Sequence, residues 1–207
     1  MKILVILAHP DRQSFNHAIA NECKQKLAEN GHKIIFRDLY EDRFDPLITS
    51  KEIPKNGTIN DLVERHCDDL VQSDGIIIIH PNWWGQPPAI LKGWIDRIIR
   101  PGIAYEFNDG DDGEGIPIGL LKAKIGLVFN TSNTNADREN KIFGDPLETI
   151  WKNCIFKFCG VEVFDRKMFR IVVTSDLEQR QQWLKETREL VDKYFPENKK
   201  NDMMLKM

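Results

Sequence analysis

Apolar and polar positions follow two rhythms along this chain, and the switch between them recurs five times. Runs with strand character, Ile3 to Leu7, Lys33 to Leu39, Gly75 to His80, Lys124 to Asn130 and Val161 to Arg170, are separated by stretches in which apolar residues return every three or four positions. The first and third runs are apolar almost throughout, which suits parallel strands covered on both faces. The intervening stretches carry helix signals. Ser14 is a natural N-cap for a helix with Phe15, Ala18, Ile19, Cys23 and Leu27 in step, and Gly31 stops it. Asn60 to Val71 is a short amphipathic helix, and Ala89 to Ile99 follows the Pro87-Pro88 pair. Pro146 to Phe158 and Ser175 to about Tyr194 complete the set.

Strands alternating with helices predict one doubly wound α/β domain over residues 1–195, with a five-stranded parallel sheet and helices on both faces. Residues 196–207 read as a polar, frayed tail.

Composition narrows the function. Of 207 residues, 41% are hydrophobic and 29% charged, enough for an unaided core. The net charge of −3, from 29 basic and 32 acidic residues in even spread, lacks the basic stripe that a nucleic-acid binder needs. Cys23, Cys67, Cys154 and Cys159 contain no CxxC pair and have no zinc spacing, so they read as buried reduced thiols, and no metal site is expected. The opening MKILVILAHP has a short apolar run without a small-residue cleavage site, which reads as a buried strand and not as a secretion signal. No stretch reaches the roughly 18 to 20 apolar residues that cross a bilayer. A soluble cytoplasmic protein without membrane insertion is expected.

In doubly wound sheets, ligands bind beyond the carboxyl ends of the strands, at the switch in strand order. For the order 2-1-3-4-5 this lies between the first and third strands, and three loops meet there. The first, His9-Pro10-Asp11-Arg12-Gln13-Ser14-Phe15-Asn16, lacks the glycines of a dinucleotide fingerprint but sets polar donors beside a helix N-terminus, a place that favours an anion. The second, Pro81-Asn82-Trp83-Trp84-Gly85, puts two tryptophans where a flat ring could lie against them. The third, Asn130-Thr131-Ser132-Asn133-Thr134-Asn135, offers small polar groups for a ring edge. Each has a plainer reading too: a capped helix with a turn histidine, tryptophans that plug the core, a surface turn.

ILVILAHPDRQSFN, HPNWWGQPPAILKGWIDRII, GIAYEF and FGDPLETIWKNCIFKFCGV, in that order, resemble the NAD(P)H:quinone oxidoreductases, a flavodoxin-like family of relatives of DT-diaphorase that includes the ancillary reductases of bacterial potassium-efflux systems. The similarity covers nearly the whole domain. It implies a tightly held flavin, FAD or FMN, with FAD favoured by the length after the third strand, and NAD(P)H as co-substrate. It also implies a homodimer that uses the helix containing Trp94 and the segment near Tyr105. His9, Ser14, Phe15 and Asn16 would hold the flavin phosphates and ribityl chain. Pro81, Asn82, Trp83, Trp84 and Gly85 would line the isoalloxazine, with Asn130, Thr131, Ser132 and Asn133 at its edge. The implied reaction is ping-pong: hydride passes from NAD(P)H to a small acceptor such as a quinone, with Trp84 and Asn130 as the residues expected to act on it. Mammalian members carry a Tyr and a His after the fourth strand; here Phe143 stands at the His position and the Tyr position falls near Asp137, which leaves Asn130, Arg138 or backbone dipoles to meet the charge of the reduced ring. The alternative is a redox-sensing regulatory subunit that docks on a partner such as an ion-efflux system. A one-electron carrier fits less well, because such carriers are strongly acidic.

Overall fold

The computed structural model describes residues 1–108, 110–111 and 114–197. Five parallel strands form the central sheet: β1 (Lys2–Leu7), β2 (Lys33–Asp38), β3 (Gly75–Pro81), β6 (Ile125–Ser132) and β7 (Val163–Arg170), in the order β2-β1-β3-β6-β7. A two-stranded antiparallel ribbon, β4 (Tyr105–Glu106) and β5 (Ile118–Gly119), stands apart from it. The five-strand order is the expected 2-1-3-4-5, and each expected strand and helix is present with its ends moved by a residue or two. Most of the tail predicted over 196–207 lies outside the described residues.

Alternation along the buried strands feeds two cores. Ile3, Val5, Leu7, Ile77, Ile79, Leu127 and Phe129 point to helices α1 (Phe15–Glu29) and α5 (Leu177–Tyr194), where they meet Ile19, Leu27, Trp183 and Val191. Leu4, Ile6, Ile76, Ile78 and Val128 point the other way, to α2 (Asp61–Val71) and α3 (Ala89–Ile98). A strand supplying both faces favours apolar residues, which is why β3 runs through four isoleucines from Ile76 to Ile79, and it is buried at every position.

The fourth expected helix departs from regular geometry. It begins as α4 (Pro146–Thr149) and continues as a π-helix from Ile150 to Lys157. The wider turn puts Trp151, Ile155 and Phe156 on one buried face, and the Phe156 ring lies where a side chain on Gly126 would be. The long β2–α2 connection is tied down as well. Arg97 of α3 forms a buried ion pair with Glu52 at 2.8 Å and donates to the Asp45 carbonyl, and Arg100 donates to the Glu52 carbonyl.

One sequence expectation is corrected here. Cys154 is exposed, while Cys23, Cys67 and Cys159 are buried. The Trp94 side chain lies in the core, and its indole N–H donates to His66 Nδ1 at 2.9 Å. Among the described residues no helix is long and apolar enough to cross a membrane, and no cluster of His, Cys, Asp or Glu could hold a metal.

Candidate active site at the strand ends

Register brings three strand ends to one edge. Leu7 pairs with Ile79, and His80 and Pro81 pair with Asn130 and Thr131. Beyond them the Asn82 N–H donates to the Thr131 carbonyl at 2.7 Å, carrying the β3–β6 ladder one step into the loops. Two adjoining cavities open here and share Asn82 and Thr134.

The first cavity, about 540 Å³, is lined by His9, Gln13, Ser14, Phe15, Asn16, Pro81, Asn82, Trp83 and the Thr131–Thr134 loop, and is closed by Val172, Val173 and Arg180. Its chemistry suits an anion. Ser14 caps α1 by accepting from the His17 N–H, and the Phe15 and Asn16 N–H groups have no partner inside the helix by geometry. The Arg180 guanidinium is held at the wall by Ser175 Oγ and the Val172 carbonyl. The Asp11 backbone holds the His9 Nδ1, with its N–H at 3.1 Å and its carbonyl oxygen at 3.2 Å. Burial keeps the His9 imidazole below its ordinary pKa range. Asn16 is almost fully buried, with Nδ2 donating to Thr131 Oγ1 at 2.9 Å, while its Oδ1 is buried without a hydrogen-bond partner. A buried orphan on a cavity wall marks a place for a polar ligand. The Thr131 hydroxyl can instead donate to the amide oxygen, a rotation that turns the NH2 to the cavity.

The second cavity, about 520 Å³, is lined by Asn82, Trp84, Gly85, Thr134, Arg138, Glu139, Phe143 and Pro146. Its rim is a tight turn. Trp83 and Gln86 exchange backbone hydrogen bonds at 3.0 and 3.1 Å, with Trp84 at φ 58° and Gly85 at φ 70° between them. Positive φ at both central positions is the type I′ pattern, which favours Asn-Gly and not Trp-Gly. Gly85 is required twice, for its φ and because a Cβ there would lie 2.7 Å from Pro146 Cγ. Trp84 is a bulky residue in the left-handed region and is fully exposed. The Asn82 side chain props this turn: its oxygen accepts the Gly85 N–H at 2.9 Å, and its nitrogen donates to both oxygens of the buried Glu139 carboxylate at 3.1 Å.

Below the cavities lies a polar floor. His80 Nδ1 donates to the Pro81 carbonyl at 2.8 Å, which leaves Nε2 as an acceptor for Asn130 Nδ2 and Trp151 Nε1, each at 2.9 Å. Burial, with the nearby Arg166 cation, lowers the His80 pKa to about 4 and holds the ring neutral. Asn130 Oδ1 in turn accepts from Arg166, which also pairs with Asp145 and, at 2.9 Å, with Glu148.

The structure thus gathers His9, Ser14, Phe15, Asn16, Pro81, Asn82, Trp83, Thr131, Ser132 and Asn133 around the first cavity, and Trp84 and Gly85 around the second. Asn130 is not among the lining residues. It has no exposed surface, and both ends of its amide serve the floor. Phe143 and Arg138 line the second cavity, whereas the Asp137 side chain faces solvent and pairs with Lys141. Sequence reasoning missed Val172, Val173, Arg180 and Glu139. The first three were open to inference, since the order 2-1-3-4-5 also brings the loop after the fifth strand to this edge. Glu139 carried no signal, because a charged residue in a polar segment reads as solvated.

Residues 1–194 match a family model described as a flavodoxin-like fold. An uncharacterized NAD(P)H oxidoreductase of Haemophilus influenzae is 37% identical over 173 residues, covering 82% of this chain and 83% of that protein. The human ribosyldihydronicotinamide dehydrogenase [quinone] is 29% identical over 205 residues, covering 86% of each chain. A crystal structure of a Streptococcus mutans protein superposes with a TM-score of 0.81 at 26% identity, over 92% of this chain and 98% of that one.

Proposed function

The chain belongs to the flavodoxin-like fold family, and from that premise we propose that it is an NAD(P)H oxidoreductase that works through a bound flavin and reduces a quinone or similar small acceptor. The observation that carries this reading is the pair of adjoining cavities, one built for an anion and the other edged by an exposed tryptophan turn, each in the volume range of a small-molecule site. The names of the Haemophilus influenzae and human relatives support the reaction class.

In this reading Ser14, the Phe15 and Asn16 N–H groups and Arg180 hold the phosphates, and Asn16 holds the sugar-like chain. The Trp83–Gly85 turn and the Thr131–Asn133 segment flank the ring. Val172, Val173 and Arg180 extend the first cavity past the three loops, which supports FAD over FMN. When bound, the flavin would supply the redox chemistry for hydride transfer between NAD(P)H and the acceptor. The protein orients and shields. Trp84 and Phe143 give the two substrates, used in turn, an apolar wall that excludes water. Arg138 puts a positive charge at the same wall, in place of the Tyr and His of mammalian relatives. Trp84, Ile142 and Phe143 are 100%, 74% and 52% exposed, and a second copy of the chain is the proposed cover for this apolar rim.

The test is direct. Purified protein should be yellow, should release one flavin per chain on heating, and should consume NADH or NADPH when benzoquinone is added. Colourless protein that binds neither FAD nor FMN would end this reading. Light scattering at micromolar concentration should give a dimer, and a monomer would remove the proposed cover.

A further inference from the structure

We propose that His17 takes up a proton when a phosphate docks in the first cavity, and that this turns the Ser14 hydroxyl from an inward donor into an outward one. The proposal rests on the flavin reading above and adds a residue that does not itself line the cavity. Its basis is a donor–acceptor count. Asp38, at the end of β2, sits 3.1 Å from His17 Nε2 and is acceptor-only, so Nε2 carries a proton. In the neutral ring Nδ1 is then a bare acceptor, and it lies 3.0 Å from Ser14 Oγ. The Ser14 hydroxyl must donate to it. The same oxygen accepts the His17 N–H. Ser14 therefore shows the cavity only a lone pair, although it stands at a helix N-terminus on an anion site whose second mark is the buried Asn16 amide, which turns its NH2 to the cavity once its unpartnered oxygen accepts from the Thr131 hydroxyl.

A phosphate needs a donor there. Protonation of His17 supplies one: Nδ1–H then donates to Ser14 Oγ, and the hydroxyl proton is freed for the ligand. Asp38 is built to hold the resulting imidazolium. Its other oxygen is fixed by the Tyr40 and Glu41 N–H groups, and the residue is buried. The remaining titratable groups near His17 come from the β1–α1 loop. His9 lies 6.4 Å away ring to ring, Asp11 follows it, and Arg12 at the rim is paired with Glu41. Asp38 is thus the anion that directly faces the imidazole.

The test is FAD binding to the full-length, flavin-stripped chain, followed by calorimetry in buffers of different ionisation enthalpy. FAD is the probe because its pyrophosphate has no group that titrates near neutrality. Riboflavin is the control because it carries the ring without a phosphate. FAD should take up a proton from the buffer as it binds, and riboflavin should take up none. FAD affinity should rise as pH is lowered, because binding and proton uptake are linked. In His17→Gln both the proton uptake and the slope should vanish, and Asp38→Asn should shift the slope to lower pH. Equal uptake with riboflavin and FAD would overturn the proposal without using any variant. An unchanged uptake in His17→Gln would do the same. Wild-type protein that binds neither flavin would instead overturn the flavin reading, and this proposal with it.

Discussion

His80 and Trp84 are four positions apart in the chain, and the two sit at opposite extremes. His80 has no exposed surface, keeps both ring nitrogens engaged and anchors a floor that runs through Asn130 to Arg166. Trp84 is wholly exposed on a left-handed backbone that a tryptophan adopts only at a cost. The floor spends polar groups on holding the strand ends in place, and the rim gives up local stability to present a flat ring. Substitutions in the two regions should therefore move stability in opposite directions.

The largest effect belongs to the floor. Arg166→Met would leave Asp145, Glu148 and the Asn130 amide oxygen without their cation, and removing one partner of such a group costs about 3 kcal/mol. Chemical denaturation should show that loss, and a change below 1 kcal/mol would mean that the network is decorative. Next comes Trp151→Phe, which keeps the aromatic packing but takes away the N–H that His80 accepts. About 1 to 2 kcal/mol should go, with turnover of the folded enzyme within a few-fold of wild type. A collapse of turnover at full stability would move Trp151 into the chemistry.

Acid should act on the same floor. Burial lowers His80 to about 4, and His66, which accepts the Trp94 indole N–H as His80 accepts that of Trp151, to about 4 as well. The unfolded chain takes protons on these groups near 6.5 and the folded chain does not. Their contribution is therefore complete above about pH 6.5 and is lost as pH falls towards 4. The urea midpoint should decline through that window, and a flat midpoint between pH 6.5 and 4.5 would contradict the buried neutral assignments.

Reading the sequence recovers one of these regions better than the other. The isoleucine run of β3 and the capped helix after Ser14 announce themselves, because strands buried on both faces favour apolar residues and a helix start needs a cap. The tryptophan turn was visible as bulk in a loop. The floor was not visible, because His80, Asn130, Trp151 and Arg166 come from four separate segments and meet only when the register of β3, β6 and β7 is set. Asn130, read as a ring-edge residue from its place at a strand end, proves to point inward; alternation by one position separates it from Thr131, which does reach the cavity. The π-helical turns that bring Trp151 over His80 likewise leave no mark in a three- and four-residue rhythm.

The smallest change in stability carries the most information. Trp84→Asn would create the Asn-Gly pair that a type I′ turn favours, and relief of the left-handed tryptophan should raise stability by about 1 kcal/mol, or roughly 2 to 4 °C in Tm. If the rim exists to present a ring, the same variant should bind flavin or turn over NAD(P)H and benzoquinone at least tenfold less well. Melting temperature and flavin dissociation constant measured side by side on wild type and Trp84→Asn test that claim most directly. A higher Tm with weaker binding or turnover is the predicted pair, and a variant that melts lower, or that binds and turns over as wild type does, would contradict it.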